Sequence, residues 1–138
     1  MNEARAREMF AAARVARLAT VGEGGQPHLV PVVFAVDGDR IVTAVDHKPK
    51  RTTALQRLAN IRANPLVSLL VDEYADGDWT TLWWVRADGH ARVLDHRDDI
   101  ARQGVELLTR RYPQYRDRRP GGPVVVIEVA RWTAWSAS

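Results

Sequence analysis

The chain has 138 residues, of which 46% are hydrophobic and 27% are charged, and its formal net charge is +3. This balance predicts one soluble globular domain over residues 1–138. The sequence has no cysteine, which excludes disulfides and thiol catalysis and favours a cytoplasmic location. No apolar run reaches the roughly 18 residues of a membrane span. Charges of both signs alternate, so neither a membrane nor a nucleic acid is expected as a partner.

The first half of the chain predicts a helix followed by three strands joined by short turns. Pro31 interrupts the second strand and marks a bulge or an unpaired edge position, because proline cannot donate to a ladder. Asp37-Gly38-Asp39 has the composition of a tight hairpin turn. The predicted elements are a helix over Asn2 to Ala13, and strands over Val15 to Val21, Pro27 to Val36 and Arg40 to Val45.

In the second half the apolar period changes to 3.6 residues at Thr53, which predicts a helix with Leu55 and Leu58 on one face. Thr53 and Gln56 fit a capping box at its start, and Asn64-Pro65 stops it. The remaining predictions are a strand buried on both faces over Leu66 to Val71, a strand over Trp79 to Leu94 with Asp88-Gly89 as a bulge or a second turn, a helix over His96 to Arg111, a loop over Tyr112 to Pro123, and a last strand over Val124 to Trp135.

This order of elements favours a mainly β fold with helices (α+β). Consecutive strands are joined by hairpins, which argues for an antiparallel sheet or barrel and against a doubly wound parallel sheet. A barrel would also remove the exposed edges of such a sheet. The predicted fold therefore has about six strands and three helices.

A cationic segment stands between the third strand and the second helix. Lys48, Lys50 and Arg51 directly precede Thr52 and Thr53. A helix start offers unpaired N–H groups and the positive end of the helix dipole, so cations placed there favour a bound phosphate. The alternative is a solvated loop whose cations face Asp46 or the acidic segment 72–78.

Tryptophans are concentrated in two of the predicted strands. Trp79 and Trp83 would share one face of their strand, while Trp84 would lie on the other. Such a strand can pack a core on one side and a subunit or planar ligand on the other, although simple packing explains any single tryptophan. Trp132 and Trp135 in the last strand are predicted to lie in the core.

No side-chain constellation predicts catalysis by the protein alone. The four histidines, His28, His47, His90 and His96, lack the spacing of metal ligands, and Ser68 has no glycine elbow around it. No catalytic side chain and no metal ligand is therefore predicted. This pattern favours a protein in which a bound cofactor carries the chemistry.

Several segments together resemble a known family. They are Arg17-Leu-Ala-Thr20, Gly25-Gln-Pro-His28, Pro31-Val-Val-Phe34, Lys48-Pro-Lys-Arg-Thr52, Arg62-Ala-Asn-Pro65, Val67-Ser-Leu-Leu-Val71, Gly89-His-Ala-Arg-Val93 and Trp132. The chain resembles the pyridoxamine 5'-phosphate oxidase-like, FMN-binding-like split β-barrel proteins. It is most similar to their actinobacterial deazaflavin-dependent branch, whose members use coenzyme F420 in place of FMN.

The resemblance implies a homodimer with two cofactor sites at the subunit interface. The cofactor phosphate would lie near Lys50, Arg51 and Thr52, with Lys48 and Arg57 close by. The ring would lie against one set of residues, with backbone groups holding its polar edge: Val32, Val33, Thr43, Ala44 and Val45. Trp79 and Trp84 would reach the site from the partner subunit.

The implied function is an oxidoreductase that transfers a hydride from reduced F420 to a small electron-poor molecule, such as an enone or a quinone. One alternative is a non-catalytic F420-binding or storage protein. Another is an FMN- or haem-binding relative on the same fold. Flavin-using oxidases typically have an arginine in the second strand, where this chain offers only His28 as a polar residue, and this argues against FMN and against vitamin B6 oxidase activity.

Overall fold

The computed structural model describes residues 1–45 and 53–138. Within these ranges it contains four α-helices, one short 3-10 helix and seven strands. The helices are α1 (Glu3–Ala12), α2 (Thr53–Ala63), α3 (Asp99–Arg111) and α4 (Pro113–Asp117), and the 3-10 helix is Trp79–Thr81. The strands are β1 (Ala16–Val21), β2 (Pro27–Val32), β3 (Ala35–Asp37), β4 (Arg40–Ala44), β5 (Leu66–Glu73), β6 (Trp83–Leu94) and β7 (Val124–Ser136).

All seven strands form one antiparallel sheet in the order β2-β1-β5-β6-β7-β4-β3. The sheet curls around a core, so the prediction of a mainly β, antiparallel split barrel is confirmed. β2 and β3 lie at opposite ends of the strand order, although only Val33 and Phe34 separate them in the chain. The split in the barrel is therefore located at this short connection.

The inside of the curl is filled by aliphatic and aromatic side chains from every long strand. α1 closes one end of this core, where the Phe10 ring lies 5.1 Å from the Phe34 ring and 5.2 Å from the Trp132 ring, measured between centroids. Asn2 caps α1 by accepting a hydrogen bond from the N–H of Arg5. None of the helices in the described ranges is both long and apolar enough to cross a membrane.

A second, smaller core lies between α3 and the outer side of β4 and β7. Side chains alternate along a strand, so Val42 and Ala44 face α3 while Ile41 faces the main core. A Cβ atom on Gly104 of α3 would lie 2.5 Å from a methyl carbon of Val42. Glycine at this position therefore sets how closely α3 approaches the sheet.

Several elements differ from the sequence-based prediction. The helix α4 lies inside the segment Tyr112 to Pro123, which was predicted to be a loop. The second predicted strand divides into β2 and β3 at residues 33–34, where the sheet splits. Trp79 belongs to the 3-10 helix capped by Asp78, so it does not share a strand face with Trp83. α3 begins at Asp99 with Asp98 as its cap, because the Asp98 carboxylate accepts hydrogen bonds from the N–H groups of Ile100 and Ala101.

The burial of β5 also differs from the prediction. Only alternate residues of β5 are buried, while Leu66 and Leu70 are 59% and 36% exposed on the outer face. The prediction that this strand is buried on both faces is therefore wrong for the single chain. The apolar run in the sequence instead reflects one inner face and one apolar outer face.

Candidate functional site

A groove on the outer face of the sheet is lined by large apolar side chains and two arginines. We call it the aromatic groove; its volume is about 530 Å³. Its lining includes Arg17, Leu29, Leu70, Trp83, Trp84, Arg86 and Trp135. Trp84 on β6 is registered opposite Trp135 on β7, which places two indoles side by side on this face.

Large apolar side chains of the aromatic groove are exposed to solvent in the single chain. Leu29 is 66% exposed and Trp135 is 46% exposed. Contiguous exposed apolar surface on a soluble protein usually marks a binding site or a subunit contact. Its arginines are paired, since Arg17 lies 3.8 Å from the Asp72 carboxylate and Nε of Arg86 lies 3.1 Å from the Asp88 carboxylate. The Glu73 carboxylate accepts a hydrogen bond from the Trp83 indole N–H at 2.9 Å.

A bulge in β7 sets which tryptophan reaches the aromatic groove. Asp88 is registered opposite Arg131 and Gly89 opposite Val129, so Ala130 is the extra residue. This insertion reverses the side-chain parity, so that Trp132 packs on the core while Trp135 faces outwards. The prediction that both tryptophans lie in the core is correct for Trp132 and wrong for Trp135.

Beside the bulge, Asp88 holds a polar cluster on the outer face. Its carboxylate accepts hydrogen bonds from the Ser68 hydroxyl at 2.6 Å and from Nε of Arg86 at 3.1 Å, and Arg131 lies 3.5 Å away. Partial burial tends to raise the pKa of Asp88, but the hydrogen bonds from Ser68 and Arg86 and the two arginine charges outweigh it. The pKa of Asp88 is therefore lowered, and the carboxylate is ionised at neutral pH.

The loop between β5 and β6 holds two exposed aromatic side chains in place. The Tyr74 hydroxyl donates to the Asp76 carboxylate at 2.8 Å and accepts from the Trp79 indole N–H at 3.3 Å. Hydrogen bonds from Thr80 hold the Asp78 carboxylate and lower its pKa. Trp79 is nevertheless 65% exposed. Its indole is thus oriented without being covered by the chain's own core.

Most residues predicted to contact a cofactor ring lie at the end of β4 and at the split. The side chains of Val32, Thr43, Ala44 and Val45 are buried, and the Thr43 hydroxyl donates to the carbonyl of Val33 at 2.8 Å. A ring at this place would therefore meet backbone more than side chain.

The backbone here has a free side for such a contact. β7 is registered with β4 from Arg40 to Ala44, whereas β3 is registered only as far as Val42. Among the described residues, no strand is paired on the β3 side of residues 43–45. This edge fits a ring whose polar atoms are held by backbone groups.

The other predicted site residues are placed only in part. Lys48, Lys50, Arg51 and Thr52 lie outside the described residues. Arg57 is half-buried on α2, which begins directly after that segment. Trp84 lies in the aromatic groove, and Trp79 lies in the loop beyond it. The described residues include no group of three or more His, Asp or Glu side chains placed to hold a metal ion.

A buried polar link between α2 and β1 was not predicted from the sequence. The Asn60 side chain donates to the Thr20 hydroxyl at 3.0 Å and accepts from the Gln56 amide at 2.7 Å. A groove of about 800 Å³ runs beside it, between α2 and the β1–β2 turn. Asn60 is only 4% exposed, although amide side chains are mostly solvated.

A family model for pyridoxamine 5'-phosphate oxidase matches residues 3–136. The chain belongs to the pyridoxamine 5'-phosphate oxidase family. The match covers both the curled sheet and the helices, so the family assignment and the fold agree. No curated protein matches the sequence significantly.

Solved structures with this fold include members with different ligands in their names. A conserved hypothetical protein from Mycobacterium tuberculosis, Rv2991, is 25% identical with a TM-score of 0.76, covering 99% of this chain and 86% of its own. The haem storage protein HutZ from Vibrio cholerae is 16% identical with a TM-score of 0.74, covering 97% and 93%. An FAD-binding protein from Mesorhizobium loti is 22% identical with a TM-score of 0.72, covering 97% and 94%.

Proposed function

We propose that this protein binds coenzyme F420 and, as a homodimer, reduces small electron-poor molecules with hydride from the reduced cofactor. The observation that carries the proposal is the backbone edge at residues 43–45, on whose β3 side no strand is paired within the described ranges. In sequence this edge is followed at once by the cationic segment and then by α2. A strand end that offers backbone groups to a ring, next to cations and a helix start for a phosphate, suits a flavin-like cofactor.

The proposed roles divide between the two subunits. Lys50, Arg51 and Thr52 hold the phosphate, with Lys48 and Arg57 nearby. The ring lies at the split, against the strand ends that include Val33 and Val45. The partner's Trp79 and Trp84 cover the ring and exclude water. When bound, the cofactor supplies the hydride. Water supplies the proton, because no side chain is assigned as a general acid.

The aromatic groove supports the homodimer part of the proposal. Its lining is mainly apolar, and the arginines in it, Arg17 and Arg86, are each paired with a carboxylate of the same chain. Because charged residues at the centre of an interface are usually depleted or paired, this face suits contact with a second copy. The relative named as FAD-binding makes a flavin the main rival cofactor, and the haem storage relative makes haem another.

A titration of the purified protein with F420 and FMN, followed by tryptophan fluorescence, tests the cofactor. We expect F420 to quench the fluorescence with a dissociation constant in roughly the micromolar range, which corresponds to a binding free energy of about −8 kcal/mol. We expect FMN to bind more weakly. Exposed Trp79 and Trp135 provide the signal. Tighter binding of FMN, or a haem Soret band in the purified protein, would contradict the F420 assignment. Binding of F420 without turnover of any enone or quinone would favour the storage alternative.

We expect Leu70→Glu to convert the dimer into a monomer. It replaces an apolar contact of the proposed interface with a carboxylate that must lose its water on association, even though Arg17 and Arg86 are registered beside it. Sedimentation velocity measures the change. Leu55→Glu is the matched control, since Leu55 is 45% exposed but lies on α2, away from the aromatic groove. A wild-type protein that sediments as a monomer would contradict the proposed homodimer, and a Leu70→Glu variant that remains a dimer would place the interface elsewhere.

A further inference from the structure

The second helix is joined to the sheet by a short chain of side-chain hydrogen bonds. Asn60 of α2 donates to Thr20 near the end of β1, and Gln56, one turn earlier on the same helix, donates to Asn60 and so orients its amide. Thr20 and Asn60 are almost completely buried, at 1% and 4% exposure. A buried polar pair needs both partners, because a lone buried amide or hydroxyl costs about 1–3 kcal/mol.

The contact between α2 and the sheet also depends on a glycine. A Cβ atom on Gly22 would lie 2.4 Å from Oδ1 of Asn60. Any larger residue at position 22 would therefore displace the Asn60 side chain from its hydrogen bonds. The close approach and the hydrogen bonds act on the same residue of α2.

These contacts determine more than the stability of the helix. Leu58 and Ile61 of α2 pack into the main core, but apolar contacts tolerate small shifts and rotations. A hydrogen bond depends on distance and angle, so the link from Asn60 to Thr20 fixes the axial position and rotation of α2. Asn60 lies seven residues after the helix start, about 10 Å along the axis, and a helix transmits its position rigidly over that length.

We propose that the chain Gln56–Asn60–Thr20 positions the start of α2 to receive the cofactor phosphate. Thr20, Gln56 and Asn60 are then positioning residues that act through the helix and not through contact with the phosphate. The inference rests on the proposed function, because it assumes a phosphate bound where α2 begins. Thr20 is on β1, whose outward-facing neighbours Arg17 and Ala19 line the aromatic groove. The link therefore connects the phosphate end of the proposed site to the strand that lines the groove.

The test measures how much the phosphate contributes to cofactor binding. Dissociation constants are measured for FMN and riboflavin, and for F420 and its phosphate-free deazaflavin. In each pair the ratio of the phosphate-free constant to the phosphorylated one gives the phosphate preference. Thr20→Val removes the hydroxyl at nearly constant volume and leaves the Asn60 amide without its acceptor. We expect the preference to fall roughly three- to tenfold, and Thr20→Ser to restore it.

Two further variants separate positioning from stability. Thr109→Val is the matched control, because Thr109 is also buried and its hydroxyl donates within α3, to the carbonyl of Val105 at 2.7 Å. We expect it to destabilise the protein without changing the phosphate preference. Gln56→Met removes, at an exposed position, the donor that orients the Asn60 amide. The protein therefore remains folded, and we expect the preference to fall by less than in Thr20→Val.

The outcomes distinguish the two proposals. A wild-type protein that shows no phosphate preference contradicts the phosphate site, and with it the proposed function. A wild-type preference that is unchanged in both Thr20→Val and Gln56→Met overturns the positioning role alone. An equal loss of preference in Thr109→Val would also overturn it, because the effect would then follow general stability.

Discussion

We expect the double substitution Lys50→Ala with Arg51→Ala to weaken F420 binding by about a hundredfold or more. A charge-assisted hydrogen bond to a phosphate contributes about 1.5–3 kcal/mol, and each 1.4 kcal/mol is tenfold in affinity. Two such contacts together therefore exceed the effect of any single apolar contact with the ring. The same fluorescence titration that establishes wild-type binding measures the loss.

The control for this variant is Arg110→Ala with Arg118→Ala, which removes the same charge from exposed positions near the end of α3. Added salt provides a second comparison, because it screens an exposed phosphate contact. We expect salt to weaken wild-type binding markedly and to affect the double variant much less. A dissociation constant that is unchanged by the double substitution would place the phosphate away from the cationic segment.

We expect Gly89→Ala to lower the free energy of unfolding by about 3 kcal/mol, at the upper end of overpacking substitutions. A Cβ atom on Gly89 would lie 2.2 Å from the carbonyl oxygen of Glu128 and 3.1 Å from a methyl carbon of Ile127. The oxygen belongs to the backbone of β7, which pairs with strands on both sides and cannot move away locally. Denaturant unfolding measures the difference.

Gly24→Ala is the matched control for this prediction, because a Cβ atom on Gly24 would meet nothing within 4 Å. We expect that substitution to change stability by less than about 0.5 kcal/mol. An equally small change in the free energy of unfolding for Gly89→Ala would contradict this prediction. It would mean that β6 and β7 can move apart at the bulge at little cost. Gly89→Ala would also displace the neighbouring Asp88. We therefore expect a shift of the strands to weaken the Ser68–Asp88 hydrogen bond as well.

The local turns and breaks of the fold are predictable from the sequence. Asp37-Gly38-Asp39 predicts a hairpin, and Gly38 indeed adopts a φ of 61° in the turn between β3 and β4. Asn64-Pro65 predicts the end of α2, which stops at Ala63. These features depend on neighbouring residues alone, and for that reason the antiparallel class was predictable.

The orientation of the tryptophans was not predictable, because it depends on the pairing of distant strands. Trp132 and Trp135 are three residues apart, so an uninterrupted strand places them on opposite faces. The bulge at Ala130 decides which one faces the core, and it arises where β7 pairs with Asp88 and Gly89 of β6. Asp88-Gly89 suggested a bulge or a turn, but the sequence did not show that the extra residue lies in the partner strand.

The candidate site was predictable to a different extent at its two ends. The cationic segment was identified from residue type and its position before a helix, and its role stays a prediction. The aromatic groove combines side chains from β1, β2, β5, β6 and β7, so no sequence window contains its pattern. The link between Thr20 and Asn60 spans 40 residues. Asn60 is buried because it contacts Thr20 of β1, and this contact exists only once the sheet has formed.

The place of β7 in the sheet affects how the protein can be synthesised. β7 is the last of the seven strands in the chain, yet it lies between β6 and β4. While the ribosome is still making β7, β4 and β6 each lack a neighbour, and the two parts of the sheet cannot join. The nascent chain would therefore expose apolar strand edges until β7 emerges, which favours contact with chaperones or rapid folding once β7 is available.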